Sequence, residues 1–258
     1  MITIKTFAFN LLQENTYVVS DDTLECIIID CGAYYDDERR AITDYISSQG
    51  LKPVRLLATH GHWDHNLGID TIYQTYGLRV EAAKEDEFII SDIPHNFQSI
   101  IGAPLRREYP AVGRFFTPDE VIRFGHHSLQ VLKTPGHSPG SVVFYCAEEH
   151  TAFTGDTLFR MSVGRTDFDG GSYTDLMSSL ANVLAKLPAD TVILPGHGPQ
   201  STIDYELRYN PYLTSHFPST VNGISLVSWK SASYTEKPVM ASSSSNSQTT
   251  YDTSGRIS

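Results

Sequence analysis

Cysteine, basic charge and long apolar runs are all scarce in this sequence. Cys26, Cys31 and Cys146 are the only three cysteines in 258 residues, and none has CxxC spacing. An odd number so widely spread excludes a disulfide framework and points to a reducing, cytoplasmic setting. Lys and Arg number 19 against 30 Asp and Glu, a formal net charge of −11. Nucleic-acid backbones are held by clustered cations, so no nucleic-acid partner is expected. The longest dense apolar run, Cys26-Ile27-Ile28-Ile29, is strand-sized. A membrane span needs roughly 18–20 apolar residues, so no membrane partner is expected either. The opening segment MITIKTFAFN has one Lys, alternating side chains and no small-residue cleavage site. It reads as a first strand and not as a signal peptide.

What is present is a globular mixture of strands and helices. Residues 2–9, 15–20 and 24–31 are rich in β-branched and aromatic side chains between polar turns, and read as strands. Residues 37–49 read as a helix closed by Gly50, 54–58 as a strand, and 67–76 as a helix closed by Gly77. Pro94, Pro104, Pro110 and Pro118 interrupt residues 84–118, which read as a short helix followed by an irregular insertion. Strands resume at 120–125, 128–134, 141–147 and 151–155. Leu176, Leu180, Val183, Leu184 and Leu187 share one face of a helix over 174–187. A buried strand at 192–194 and a helix at 202–210, stopped by Pro211, complete the pattern. Strand runs with helices on either side predict an α+β protein of two stacked sheets covered by helices, spanning residues 1–213. Residues 214–258 are crowded with Ser and Thr and poor in aliphatics after Val227. Such a segment buries too little apolar surface to offset its ordering entropy, and a flexible tail is expected.

Five of the ten histidines stand in three short polar segments, each directly after an apolar strand. These are Thr59-His60-Gly61-His62-Trp63-Asp64-His65, Thr134-Pro135-Gly136-His137-Ser138 and Pro195-Gly196-His197-Gly198. A fourth segment, Thr154-Gly155-Asp156-Thr157, has the same form with Asp in place of His. Ligands placed at strand ends can converge on one edge of a sandwich while the loops leave substrate access. Neutral imidazole with carboxylate suits zinc, iron or manganese. His60 and His62 lie about 200° apart on a helix, so their spacing requires extended or looped backbone. Asp64 and His65 must diverge unless the chain bends, which lets one motif serve two neighbouring metals. Asp30 reads either as an acceptor orienting a ligand histidine or as a turn cap. His95, His126, His127, His150 and His216 read as solvated loop residues.

The ordered set His60, His62, Asp64, His65, His137, Asp156 and His197 resembles the metallo-β-lactamase superfamily over about residues 1–213. The segments THGHWDH, TPGHSPGS, TGDTLF and LPGHG resemble glyoxalase-II-like hydrolases, in particular the single-domain bacterial type. The resemblance implies a four-layer αβ/βα sandwich with two divalent metal ions, zinc first and iron or manganese as alternatives. His60, His62 and His137 would then hold the first metal, and Asp64, His65 and His197 the second. Asp156 would bridge them, and Asp64 would also accept a proton. Two such cations can share a water and lower its pKa from about 15.7 to about 7, which removes any need for a Ser or Cys nucleophile. The implied reaction is hydrolysis of a small-molecule thioester, whose thiolate, with a pKa near 8.5, departs without a general acid. In glyoxalase II a basic residue after the bridging Asp helps bind glutathione. Arg165 stands in a comparable place, with a loop ion pair to Asp167 or Asp169 as its other reading. Gly198-Pro199-Gln200-Ser201 follows His197 where the two-domain enzyme has a Tyr.

Gly164-Arg165-Thr166-Asp167-Phe168 also resembles the persulfide dioxygenases of the superfamily. That alternative would use one iron on His60, His137 and Asp156, a set suited to O₂ chemistry. A nuclease would need the same metal pair, but the acidic balance argues against it.

Overall fold

In a computed structural model, residues 1–117 and 119–214 are described. Strands β1 (Thr3–Phe9), β2 (Glu14–Ser20) and β3 (Glu25–Ile29) lead into helix α1 (Asp36–Ser48), β4 (Lys52–Leu57), α2 (Ile69–Tyr76) and β5 (Val80–Ala82). Helices α3 (Glu87–Ile90) and α4 (Ile93–Ile101) precede β6 (Arg114–Phe115), β7 (Val121–Phe124), β8 (His127–Lys133), β9 (Val142–Cys146) and β10 (Thr151–Gly155). A small hairpin, β11 (Leu158–Phe159) and β12 (Ser162–Val163), is followed by α5 (Tyr173–Asn182) and β13 (Val192–Pro195). Then come β14 (Ser201–Thr202), α6 (Ile203–Tyr209) and α7 (Pro211–Thr214).

Two six-stranded sheets result, in the orders β1-β2-β3-β4-β5-β6 and β14-β13-β10-β9-β8-β7. The period-two alternation of a strand explains the layering. Ile27 and Ile29 of β3 enter the core between the sheets with Phe144 and Phe153. Their neighbours Cys26 and Ile28 pack outward with Ile42 and Ile46 of α1. In the second sheet Val142 and Phe144 face inward, while Val143 and Tyr145 pack with Leu176 and Leu180 of α5. Each central strand is therefore buried on both faces, and the result is the four-layer αβ/βα sandwich of the metallo-β-lactamase fold. Burial pushes the Cys26 thiol up to about 12 and the Cys146 thiol up to about 11. All three cysteines are free and buried, inert packing groups.

Strand direction places the site. β3 and β4 are parallel, as are β10 and β13. β8 and β10 are each antiparallel to β9 and so run the same way. The C-terminal ends of β8, β10 and β13 therefore lie on one edge, where Val142 N–H to the Thr59 carbonyl, at 2.8 Å, ties the two sheets.

Several expectations are corrected. The interval 84–118 holds two α-helices and a strand, not one short helix and an irregular insertion: Pro94 sits in the first turn of α4, where its missing N–H costs nothing. The helix expected over 174–187 breaks at Val183 and ends as a short 3₁₀ turn at Leu184–Lys186. Pro211 stops α6 but opens α7. The Ser/Thr-rich tail expected from residue 214 lies outside the described residues, except for Thr214, which closes α7. Among the described residues, no helix is long and apolar enough to cross a membrane.

Candidate metal centre

The loop after β4 carries His60 to His65. His60 lies in a bend and His62 on extended backbone, and their ring centroids are 4.8 Å apart. The chain then bends through a 3₁₀ turn at Trp63–His65. That bend brings the adjacent Asp64 and His65 to one side, with Asp64 Oδ2 3.6 Å from His65 Nε2. The loop after β8 supplies His137, whose Nε2 is 2.8 Å from His62 Nδ1. The loop after β13 supplies His197, whose Nε2 is 3.2 Å from His65 Nε2 and 3.2 Å from Asp64 Oδ2. Asp156, directly after β10, stands between the two groups. Its carboxylate lies 3.3 Å from His65 Nε2, 3.4 Å from His137 Nε2 and 3.7 Å from His197 Nε2.

All seven expected residues thus meet at one edge of the sandwich. His60, His62 and His137 offer ligand atoms within 4.8 Å of one another, and so do Asp64, His65 and His197. Hydrogen bonds made away from the cluster fix which ring nitrogen faces it, because a carbonyl can only accept. His137 Nδ1–H donates to the Arg165 carbonyl at 2.7 Å, and His197 Nδ1–H donates to the Leu12 carbonyl at 3.1 Å. His65 Nδ1–H donates to Asp30 Oδ2 at 2.9 Å. His60 Nδ1–H donates to Thr59 Oγ1 at 3.0 Å, and that hydroxyl donates on to Asp30 Oδ2 at 2.9 Å.

Each of these four imidazoles therefore turns its Nε2 inward. His60 Nε2 and Asp156 Oδ1 are buried without a hydrogen-bond partner. Orphaned buried acceptors are costly. Imidazole lone pairs at such close range repel unless a cation lies between them. The donor set fits divalent metal ions.

The electrostatics divide the histidines, lowering His60 and His62 and raising His65 and His197. Burial, reinforced by His65 and His137, holds His60 well below the usual imidazole range. Burial and the facing His137 push His62 down to about 4. Both rings are neutral and able to coordinate. Burial alone would lower His65, but Asp156, Asp64 and Asp30 outweigh it and raise it. Burial alone would raise Asp156, but His65, His137 and His197 hold it well below the carboxylate range.

Asp30 both caps and orients. Besides taking protons from Thr59 and His65 it accepts the Thr59 backbone N–H at 2.7 Å. Arg165 lines the cleft above the cluster, but its guanidinium is paired with Asp167, Nε to Oδ1 at 2.5 Å and a second nitrogen to Oδ2 at 2.6 Å. Sequence reasoning missed two buried acids. Asp86 accepts from Gly61 N–H, Gly140 N–H and the Ser138 hydroxyl at 2.7, 2.6 and 2.6 Å, joining the first two histidine loops. Glu14 is fully buried with one oxygen 3.9 Å from His65 Nδ1, and burial pushes its carboxyl up. His127 is not a solvated loop residue. It is buried, with Nδ1 2.9 Å from Asp21 and Nε2 3.1 Å from Glu149.

Fold and cluster together define a metallo-hydrolase architecture. The chain belongs to the Metallo-beta-lactamase superfamily, whose sequence profile matches residues 9–197. It is 34% identical over 203 residues to the "Probable metallo-hydrolase YqgX" of Bacillus subtilis, covering 78% of this chain and 93% of that protein. To the hydroxyacylglutathione hydrolase GloC of Haemophilus influenzae it is 33% identical, covering 82% and 98%. Among solved structures, BLEG-1 B3 metallo-beta-lactamase superposes with a TM-score of 0.76 at 34% identity, covering 82% of this chain and 100% of that one. TTHA1623 in a di-iron-bound form superposes with a TM-score of 0.71 at 33% identity, covering 81% and 100%. The superfamily's His-rich sites bind divalent metals, in keeping with the donor set described here.

Proposed function

We propose that this protein hydrolyses small-molecule thioesters with a pair of divalent metal ions, zinc or iron, held on one side by His60, His62 and His137 and on the other by Asp64, His65 and His197. The observation that carries the reading is Asp156, whose carboxylate reaches imidazoles of both groups and leaves one buried oxygen without a hydrogen-bond partner. When bound, such a pair supplies Lewis acidity and lowers the pKa of a coordinated water toward neutrality.

The chain's own groups do the rest. Asp156 spans the two ligand groups. Asp64, buried yet facing the cleft, accepts the proton that the attacking water loses. Asp30, the Arg165 carbonyl and the Leu12 carbonyl hold His65, His137 and His197 in the tautomer that presents Nε2. Among the described residues lining the cleft there is no cysteine, and the one serine, Ser99, stands on α4, an element that supplies none of the cluster's residues. Water is then the nucleophile, and a thiolate leaving group, with a conjugate-acid pKa near 8.5, needs no protonation to depart. The hydroxyacylglutathione hydrolase GloC supports the thioester reading by likeness.

The test is a metal count on purified protein together with turnover of a thioester panel and of glutathione persulfide. Two metals per chain with thioester hydrolysis is the expected result. One iron per chain with O₂-dependent persulfide oxidation would overturn it.

A further inference from the structure

The cleft over the cluster encloses about 850 Å³ and mixes apolar and charged lining. Its apolar lining includes Phe88 and Ile89 of α3 and Ile100 of α4, interleaved with His95, Asn96 and Ser99 of α4. Phe88 and Ile100 are 55% and 53% exposed, large apolar side chains turned to water at the lip. The loop after β12 lines the cleft as well, and its Phe168 ring lies 5.0 Å from the ring of His62, carrying apolar surface down to the cluster. The charges around this surface are unbalanced. Outside the cluster, the lining holds three carboxylates, Asp92, Asp167 and Asp169, against one guanidinium, Arg165. That guanidinium is engaged twice, by both oxygens of Asp167 and by the face of Phe168 at 4.2 Å. The Asp92 carboxylate pairs with His95 at 2.9 Å. Among the described residues, no lysine and no second arginine lines the cleft.

Resting on the thioester reading above, we propose that the cleft selects thioesters whose groups flanking the reacting carbonyl are apolar and free of carboxylate, and that it disfavours glutathione thioesters. A glutathione arm carries a carboxylate at each end and one ammonium beside the first, a net negative charge. Either one reaching Arg165 must share the guanidinium with Asp167, which already holds Nε and one terminal nitrogen, and so comes to lie beside the Asp167 carboxylate. Like charges a few ångströms apart at this exposed lip repel, and salt screens the repulsion. An uncharged arm meets no such opposition and covers Phe88, Ile100 and Phe168 instead.

The test compares one acyl group, hexanoyl, on two thiols: neutral N-acetylcysteamine and glutathione. Calorimetry with the unreactive S-hexyl thioethers of the same two thiols gives binding without turnover. The expected kcat/KM ratio favours the N-acetylcysteamine thioester about tenfold or more at low ionic strength, and narrows with salt because surface repulsion is screened beyond about 10 Å at 0.1 M. The double variant Asp167→Asn with Asp169→Asn frees Arg165 and is expected to shrink the ratio severalfold. Phe88→Ala is expected to weaken binding of the neutral thioether more than that of the glutathione thioether. Equal or better use of the glutathione thioester, or a ratio that ignores the double variant, would overturn the selectivity and leave the hydrolase reading standing. If neither thioester is hydrolysed by protein holding two metals, the hydrolase reading fails, and the thioether affinities still decide the selectivity.

Discussion

The Nδ1–H of His137 is bound to the backbone carbonyl of Arg165 at 2.7 Å, so Arg165 serves the cluster through its main chain while its side chain points to Asp167. Two glycine-rich loops, one after β8 and one after β12, are locked together by that bond. Gly164 makes the approach possible. A Cβ there would stand 1.9 Å from the Asp156 carbonyl oxygen and 3.0 Å from His137 Nδ1.

Gly164→Ala is therefore expected to push the loop off His137 and lower affinity for the metal held by His60, His62 and His137 by about 10–100-fold, the usual consequence of losing a ligand's orienting partner. Arg165→Ala keeps the carbonyl and is expected to keep two metals per chain. Competition against a coloured chelator reads both. Equal metal loss in the two variants would show that the Arg165 carbonyl does not act alone and that the side chain is needed as well.

Asp30 is the common anchor of both ligand groups, reaching His65 directly and His60 through the Thr59 hydroxyl. Asp30→Ala frees both rings to change tautomer and is expected to weaken metal binding by about 10–100-fold. Thr59→Val cuts only the arm to His60, so the expected loss is smaller. Should Asp30→Ala bind metal as tightly as the parent, the tautomer relay has no function.

The seven cluster residues were legible in the sequence because each follows an apolar strand and carries its own turn glycine or proline, a local pattern. Period-two and helical spacing likewise made the larger strands and α1, α2 and α5 legible. What stayed hidden depends on distance in the chain. β5 and β6 have only three and two residues and exist through pairing with β4 and with each other. Pro94 reads as a breaker until its place in the first turn of α4 is seen. Asp86 and Glu14 look like ordinary surface acids, since nothing local shows that three donors from two loops converge on Asp86. The two readings of Arg165 could not be separated from spacing alone; the geometry favours the ion pair with Asp167.

Asp86 is expected to be a structural keystone. Replacement by Ala leaves two backbone N–H groups and the Ser138 hydroxyl without their acceptor in a buried setting, at a cost of about 2–5 kcal/mol. For a domain of this size that is a fall in Tm on the order of 5–15 °C. Ser138→Ala removes one of the three donors and is expected to cost about 1 kcal/mol. Thermal unfolding of metal-free protein isolates the effect from ligation, and a shift for Asp86→Ala no larger than for Ser138→Ala would refute the keystone role.

Acid sensitivity is expected to trace in part to Asp21, at the end of β2. Burial alone would raise its carboxyl, but bonds from the Thr23 hydroxyl, the His126 N–H and His127 outweigh burial and hold it well below the carboxylate range. Glu149 faces the same histidine from the turn between β9 and β10, and Glu25 accepts the neighbouring Gly125 N–H at 2.8 Å. A carboxyl more acidic in the folded chain than in the unfolded one stabilises the fold above the unfolded value, about 3.9, and that contribution is lost as pH falls below it. Asp21→Asn is expected to cost about 1–3 kcal/mol at pH 7. Because Asn cannot be protonated in this range, the variant's Tm should fall less between pH 4 and pH 2 than the parent's, and the two curves should converge at the acid end. Parallel curves over that interval would place the acid sensitivity elsewhere, with the carboxylates of the metal cluster the next to examine.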